Sequence, residues 1–221
     1  MQRYDRRTAL RGEPSRVASD ATLAGLDETH VSLHLAMAPD AEEAAVCSAG
    51  RGDEAARAWI VRTYTPLVHR FSLRMLGNEE DARDATQETM VKVLRHLDRY
   101  DPSRRFATWV FGIARNTCID EHRRRLRRRT SPEVETVDPA DGAFERTERE
   151  QRAARLLAAL QRLPPRYREI LLLYHFELLK YREIADILHL PLGTVMNRIF
   201  RARSRLRELY LALEPETGVR P

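Results

Sequence analysis

Thr194, Asn197, Arg198, Arg201 and Arg205 recur at three- and four-residue spacing in "LGTVMNRIFRARSRLREL". On a helix that spacing gathers them on one face. Arg presents a fork of donors to guanine, and Asn a donor–acceptor pair to adenine; flanking cations hold phosphates. Val195, Ile199, Ala202, Leu206 and Leu209 form the opposite, apolar face. A second stretch, "RFATWVFGIARNTCIDEHRRRLRRR" from Arg105 to Arg129, runs from aromatics into six arginines within seven residues. Aromatic surface can stack bases, and cationic side chains can follow a phosphate backbone. The chain shows no Gly-rich phosphate loop, no nucleophile constellation and no Cys/His metal spacing. The chemistry on offer is polyanion binding, with no cofactor, no metal and no enzymatic step expected.

These side chains need helices to aim them. From Asp53, the residues Ala56, Trp59, Ile60, Tyr64, Leu67, Val68, Phe71 and Met75 keep helical period, with Pro66 as a point of kinking. Gly77 reads as the stop and Asn78 as the next N-cap. Ala82, Ala85, Thr89, Met90, Val93, Leu94 and Leu97 repeat the pattern, and Asp81, Asp84, Gln87, Glu88, Lys92 and Arg95 cover the other face. Tyr100 to Ser103 reads as a loop, with Ser103 capping the helix that holds the aromatic-to-basic stretch. Further helices are expected over Arg149–Leu163, Arg166–Leu178, Tyr181–Leu188 and Leu192–Leu211. The pair "YREIADILHLPLGTVMNRIF" has helix-turn-helix spacing: Ile184, Ala185 and Leu188 face inward and His189 falls at the turn. Residues 21–37 allow a weak helix, yet Pro14, Gly25 and Pro39 favour a flexible extension. No strand alternation is present. The expected fold is all-α, two small helical domains joined by an acidic flexible linker, the C-terminal one containing the helix-turn-helix. The domains divide as extension 1–50, first domain 51–127, linker 128–148, second domain 149–213 and tail 214–221.

Charge follows the same division. The chain of 221 residues carries a net +5. Residues 103–130 hold nine cations against two anions, whereas 131–150 hold two against seven. Two basic blocks thus flank an acidic spacer, and each basic block suits a polyanion. The longest apolar run, Ile170 to Phe176, is far too short for a bilayer, so no membrane insertion is expected. The N-terminus lacks the apolar core of a secretion signal. Cys47 and Cys118 suggest no disulfide in a chain expected to be cytoplasmic.

Three blocks together resemble bacterial RNA polymerase sigma factors, in particular the small two-domain ECF (extracytoplasmic function) group. "DARDATQETMVKVLRHLDRYD" resembles the helix that binds core polymerase. "RRFATWVFGIARNTCIDEHRR" resembles the helix that melts and reads the −10 promoter element. "LQRLPPRYREILLLYHFELLKYREIADILHLPLGTVMNRIFRARSRLREL" resembles the domain that reads the −35 element. The resemblance covers about residues 51–212. It implies docking on core RNA polymerase through Asp81, Asp84, Gln87, Glu88 and Lys92. It implies single-stranded −10 contacts from Tyr100, Arg104, Arg105, Trp109, Arg115, Asn116, Asp120 and Arg123, with the later arginines on upstream duplex phosphates. It implies duplex −35 contacts from Thr194, Asn197, Arg198, Arg201 and Arg205. Promoter DNA and core polymerase are the implied partners, together with the anti-sigma factor that often holds such proteins. The acidic linker resembles the family's segment that threads toward the polymerase cleft.

The chain departs from the family pattern at several places, and Glu177 to Lys180 lacks the usual glycine. Lys180 stands where a Ser-like N-cap is usual, His189 where the turn glycine is usual, and Met196 and Asn197 where Lys and Ser are frequent. Either Phe106 or Trp109 faces DNA while the other belongs to the core. A stand-alone helix-turn-helix regulator would account for the second domain and leave the first unexplained. An RNA-binding adaptor would account for the arginines alone.

Overall fold

The computed structural model describes residues 39–129 and 148–213, and these are helical throughout, with no strand among them. The N-terminal half holds α1 (Pro39–Gly50), α2 (Glu54–Leu76), α3 (Glu79–Arg95) and α4 (Phe106–Arg129). The C-terminal half holds α5 (Glu148–Arg162), α6 (Pro165–Leu171), α7 (Tyr181–Leu188) and α8 (Leu192–Leu211). The weak helix over 21–37, most of the acidic linker and the tail lie outside the described residues.

Local signals set the helix ends. The Asp53 carboxylate accepts the N–H groups of Ala55 and Ala56 at the start of α2. Gly77 closes that helix at φ 81°, where a side chain would be strained. Asn78 then caps α3 by accepting the Asp81 N–H. Three expectations are revised. Ser103 does not cap α4: its own N–H is taken by Asp101, and the first helical bond runs from Trp109 to the Arg105 carbonyl. The helix expected over Arg166–Leu178 is α only to Leu171, then widens into a π turn over Leu172–Phe176. Residues 39–50 are no loose extension, because α1 packs on α2 and buries Val46 and Ala49. Its Glu42 accepts the Tyr64 hydroxyl hydrogen bond. The interrupted period before Pro39 hid this helix, which is only twelve residues long.

Ile60, Tyr64, Leu67, Val68 and Phe71 of α2 meet Phe106, Val110, Phe111 and Ala114 of α4, all nearly solvent-free. Each such apolar side chain contributes about 1.5–3 kcal/mol on burial. In the other half, Ile184 and Leu188 of α7 pack with Val195, Ile199, Ala202 and Leu206 of α8. Lys180 lacks an acceptor, yet α7 is still capped: Glu183 accepts the Lys180 backbone N–H at 2.6 Å. His189 takes the left-handed conformation at φ 51°, so the turn forms without glycine.

The two halves share one continuous core. The seam is built at helix ends, whose last carbonyls lack intrahelical partners. The buried Arg168 guanidinium donates to Leu160, Gln161 and Leu163 at the end of α5, and to Met75 at the end of α2. Gln161 adds a bond from Nε2 to the Arg74 carbonyl at 2.8 Å. A Cβ on Gly77 would come within 2.6 Å of the amide end of Gln161, which would have to swing away from it.

Glu177 is fully buried at the seam, with Oε2 lacking a hydrogen-bond partner. Burial pushes its pKa up to about 8, and the charges of Arg74 and Arg70 offset only part of that. The folded chain therefore holds this proton between pH 4.5 and about 8, where the unfolded chain releases it. The stabilisation is complete below pH 4.5 and is lost as pH rises to about 8, at a limit of about 1.4 kcal/mol per pH unit. Glu177→Gln should flatten that slope and stabilise the protein at pH 8. Chemical denaturation across this range checks it, and an unchanged slope in the variant would refute the assignment.

Candidate nucleic-acid interface

Helix α8 buries Val195, Ile199, Ala202, Leu206 and Tyr210, and this directs the opposite face outward. Thr194, Asn197, Arg201 and Arg205 are exposed. Arg205 pairs with Glu208 at 2.7 Å, whereas Arg201 has no ion pair within the described residues. Arg198 departs from this group. It lies on the flank of the helix, partly buried, 3.8 Å from Glu169. Beside Asn197 stand Met196, a departure from the family pattern, and Phe200, missed in the sequence and 71% exposed. An aromatic at period i+4 to Met196, off the apolar face, was the signal available. Apolar groups on such a face suit thymine methyls.

Helix α4 carries the second set. Phe106 is buried and packs edge-on against Tyr64 and Tyr100, at 5.2 and 5.1 Å between centroids. Trp109 is only partly buried and lies 5.6 Å from Tyr100. The pair of alternatives is thereby divided: Phe106 belongs to the core and Trp109 to its edge. From Trp109 the partly buried Ile113 and the exposed Asn116, Asp120 and Arg123 continue at three- and four-residue spacing along one face. Burial pushes the Tyr100 hydroxyl up to about 12, with Glu42 and Glu43 of α1 adding to the shift. That hydroxyl donates to the Arg104 carbonyl, which braces the loop leading into α4.

The arginine run does two jobs. Arg124 meets Glu88 of α3 and Glu121 at 3.1 and 3.0 Å, and Arg125 meets Asp81 of α3 at 3.3 Å. These two arginines fasten α4 to α3, where the sequence offered duplex phosphates for the arginines after His122 or plain solvation for some of Arg124–Arg129. The acids of α3 explain it, since partly buried carboxylates draw the nearest cations. Hydrogen bonds from Lys92 and then Arg124 hold the Glu88 carboxyl below its ordinary range. Arg123 stays outward, 3.6 Å from Asp120.

The same pairs divide the five residues expected to dock on a partner. Asp81, Glu88 and Lys92 are engaged within the fold, Lys92 also bonding Thr117 at 3.2 Å. Asp84 and Gln87 are exposed, and with the exposed Val91 they make one outward stripe. Val91 was hidden because it sits beside Met90, Val93 and Leu94, which carry the inward period of the helix.

Acids of the C-terminal half face the basic loop and helix across the seam. Arg115 meets Glu169 at 2.9 Å, Arg105 meets Glu183 at 3.6 Å, and Arg104 meets Asp186 at 3.9 Å. Among the described residues no cluster of three or more His, Cys, Asp or Glu side chains could hold a metal, and no helix is long and apolar enough to cross a membrane. Both cysteines are free; burial pushes the Cys118 thiol up to about 12.

Known proteins match this arrangement. Residues 60–129 match the family described as Sigma-70 region 2, and residues 153–206 the one described as Sigma-70, region 4. The ECF RNA polymerase sigma factor SigE of Mycolicibacterium smegmatis is 40% identical over 168 residues, 73% of this chain and 65% of that protein. The ECF RNA polymerase sigma factor SigW of Bacillus subtilis is 31% identical over 173 residues, 72% of this chain and 90% of that protein. Among solved structures, CnrH in complex with the cytosolic domain of CnrY superposes with a TM-score of 0.61 at 26% identity, covering 79% of this chain and 99% of that one. The sigma factor RpoE of Bartonella quintana, in complex with the anti-sigma factor NepR, shares the fold with a TM-score of 0.59 at 24% identity, over 72% of this chain and 98% of that one.

Proposed function

The chain belongs to the ECF group of the sigma-70 family of RNA polymerase sigma factors, and from that membership we propose how its own residues divide the work of promoter recognition. A sigma factor binds core RNA polymerase and directs initiation to promoters; by family it is an initiation factor and not an enzyme. Asp84, Gln87 and Val91 on α3 form the part of the polymerase contact left open by the fold. Asp81, Glu88 and Lys92 support that helix from behind. Tyr100, Arg104, Arg105, Trp109, Arg115, Asn116, Asp120 and Arg123 make the −10 surface, where an extruded base stacks and the opened strand follows the cations. Asn197 and Arg201 read −35 base edges, Thr194 and Arg205 hold the backbone, and Arg198 joins them once Glu169 lets go. An anti-sigma protein belongs among its partners, and the work takes place in the cytoplasm, where the polymerase is.

The observation that carries this division is the exposed Arg201 beside Asn197 on α8, with no ion pair among the described residues, opposite a buried apolar face. Purified core enzyme with this chain should initiate from selected fragments of a promoter library, and core alone should not. Arg201→Ala should cut −35-dependent initiation roughly 5- to 150-fold, the worth of one bidentate base contact, with core affinity unchanged. No core binding and no promoter-dependent initiation would reject the reading. Loss of core binding in the variant would place Arg201 elsewhere.

A further inference from the structure

A cavity of about 230 Å³ opens at the junction of α2, α4 and α6, with room for about eight waters at ~30 Å³ each. Much of its lining is apolar. Met75 and Leu76 come from the end of α2, Cys118 and Ile119 from α4, and Pro165 from the first turn of α6. Met75 and Cys118 are buried, so they form the closed end. The charged part of the lining is unequal in sign. Its one acid, Glu169, is neutralised by Arg115 at 2.9 Å and by Arg198 at 3.8 Å. Arg168 also lines the cavity, but its guanidinium is committed to the carbonyls of Leu160, Gln161, Leu163 and Met75. Three exposed groups remain at the mouth: His122 and Arg123 of α4, and Arg166 of α6. Arg123 is met by Asp120 at 3.6 Å. Arg166 lies over the Tyr167 ring at 5.0 Å, a contact that orients the guanidinium without cancelling its charge.

We propose that this cavity is a binding site for a small aromatic carboxylate. An apolar hollow with a few polar groups converging at its mouth is the usual composition of a small-molecule site. The excess of cations at the mouth selects an anion, and the guanidinium fork suits a carboxylate. A bare inorganic anion would leave the apolar end unfilled. Sulfur beside the edge of an aromatic ring is a favourable contact, and both residues at the closed end carry sulfur, which favours a ring over an aliphatic tail. The ring then lies against Met75, Cys118 and Ile119, with its carboxylate toward Arg166 and His122. An occupant also draws on Arg123, which the −10 surface uses, so the site offers a means of control over promoter reading. That consequence rests on the assignment of Arg123 to DNA; the binding itself does not.

The test titrates the full chain with sodium benzoate at constant ionic strength and follows the methyl NMR signals of Leu76 and Ile119. Both should shift saturably, with a dissociation constant on the order of 1 mM for so small a ligand. Benzamide, the uncharged match, should bind at least about fivefold more weakly, and sodium hexanoate, which lacks the ring, more weakly than benzoate. At about 20 mM benzoate the thermal midpoint should rise by about 4–7 °C. Arg166→Gln, an exposed change that leaves the core intact, should weaken benzoate about two- to fivefold, the worth of an exposed ion pair. Ile119→Phe should fill the cavity and abolish the shift at Leu76, with its thermal midpoint reporting that the variant is folded. Absence of a saturable shift in the wild type would overturn the site. Equal binding of benzamide or hexanoate would overturn the class of ligand. Unchanged benzoate affinity in Arg166→Gln would place the ligand elsewhere. None of these outcomes bears on core-dependent initiation, so the promoter assignment stands or falls separately.

Discussion

Replacing Arg168 by Met is expected to lower the thermal midpoint by about 6–12 °C. One guanidinium serves the carbonyls of Leu160, Gln161 and Leu163 at the end of α5 and of Met75 at the end of α2. Met fills the volume but donates to none of them; the Leu160 carbonyl keeps the Leu163 N–H, while the bonds from Arg168 to Gln161, Leu163 and Met75 are lost. A buried acceptor without a partner costs about 1–3 kcal/mol, so a net loss of about 3 kcal/mol is expected after methionine packing is allowed for. For a chain of this size each kcal/mol moves the midpoint by about 2–4 °C. Arg168→Lys should fare little better, because a compact ammonium cannot span four carbonyls set at two helix ends. Calorimetry decides the matter. A midpoint in the Met variant equal to that of the wild type would show that the seam does not depend on this residue. The same loss should loosen the two halves, since Met75 belongs to one and the other three carbonyls to the other.

Phe106→Ala and Trp109→Ala are expected to diverge. Phe106 is 2% exposed and packed between Tyr64, Tyr100 and Trp109. Its removal should cost about 3–5 kcal/mol of stability, the usual range for a buried aromatic truncated to alanine. Trp109 lies at the edge of these rings, against both Tyr100 and Phe106, and is only partly buried. Its removal should cost clearly less stability. It should instead reduce promoter opening, because stacking on an aromatic is worth about 1–3 kcal/mol per base. Denaturant unfolding and permanganate footprinting of the −10 region separate the two effects. If Trp109→Ala unfolds the protein as readily as Phe106→Ala and opens promoters normally once folded, the division of the two aromatics is wrong.

Most of the helices were legible because each obeys one local rule. The period of α2, the Gly77 stop, the Asn78 cap and the apolar face of α8 all follow from residues within a few positions of one another. The exposed face of α8 was legible for the same reason, apart from Arg198. Its flank position is compatible with the exposed face on a helical wheel. Only Glu169, twenty-nine positions earlier, turns it inward. Arg124 and Arg125 were misread likewise: a run of arginines looks like one surface until α3 brings Asp81 and Glu88 beneath it. Helix α1 was missed because few of its residues are apolar and its buried pair, Val46 and Ala49, gains meaning only against α2.

The sequence by itself determined most of the helices, the Gly77 stop and Asn78 cap, the helix-turn-helix spacing and the residue types able to meet polymerase and DNA. These depend on hydrogen bonds and periodicity that reach one or two turns along the chain. The tertiary structure alone decided which cations are free and which are spent, which aromatic is core, and that the two halves meet over Arg168, Glu169 and Glu177. Those outcomes depend on charges and carbonyls brought together from residues as far apart as Met75 and Arg168, and no local pattern encodes a pairing at that distance.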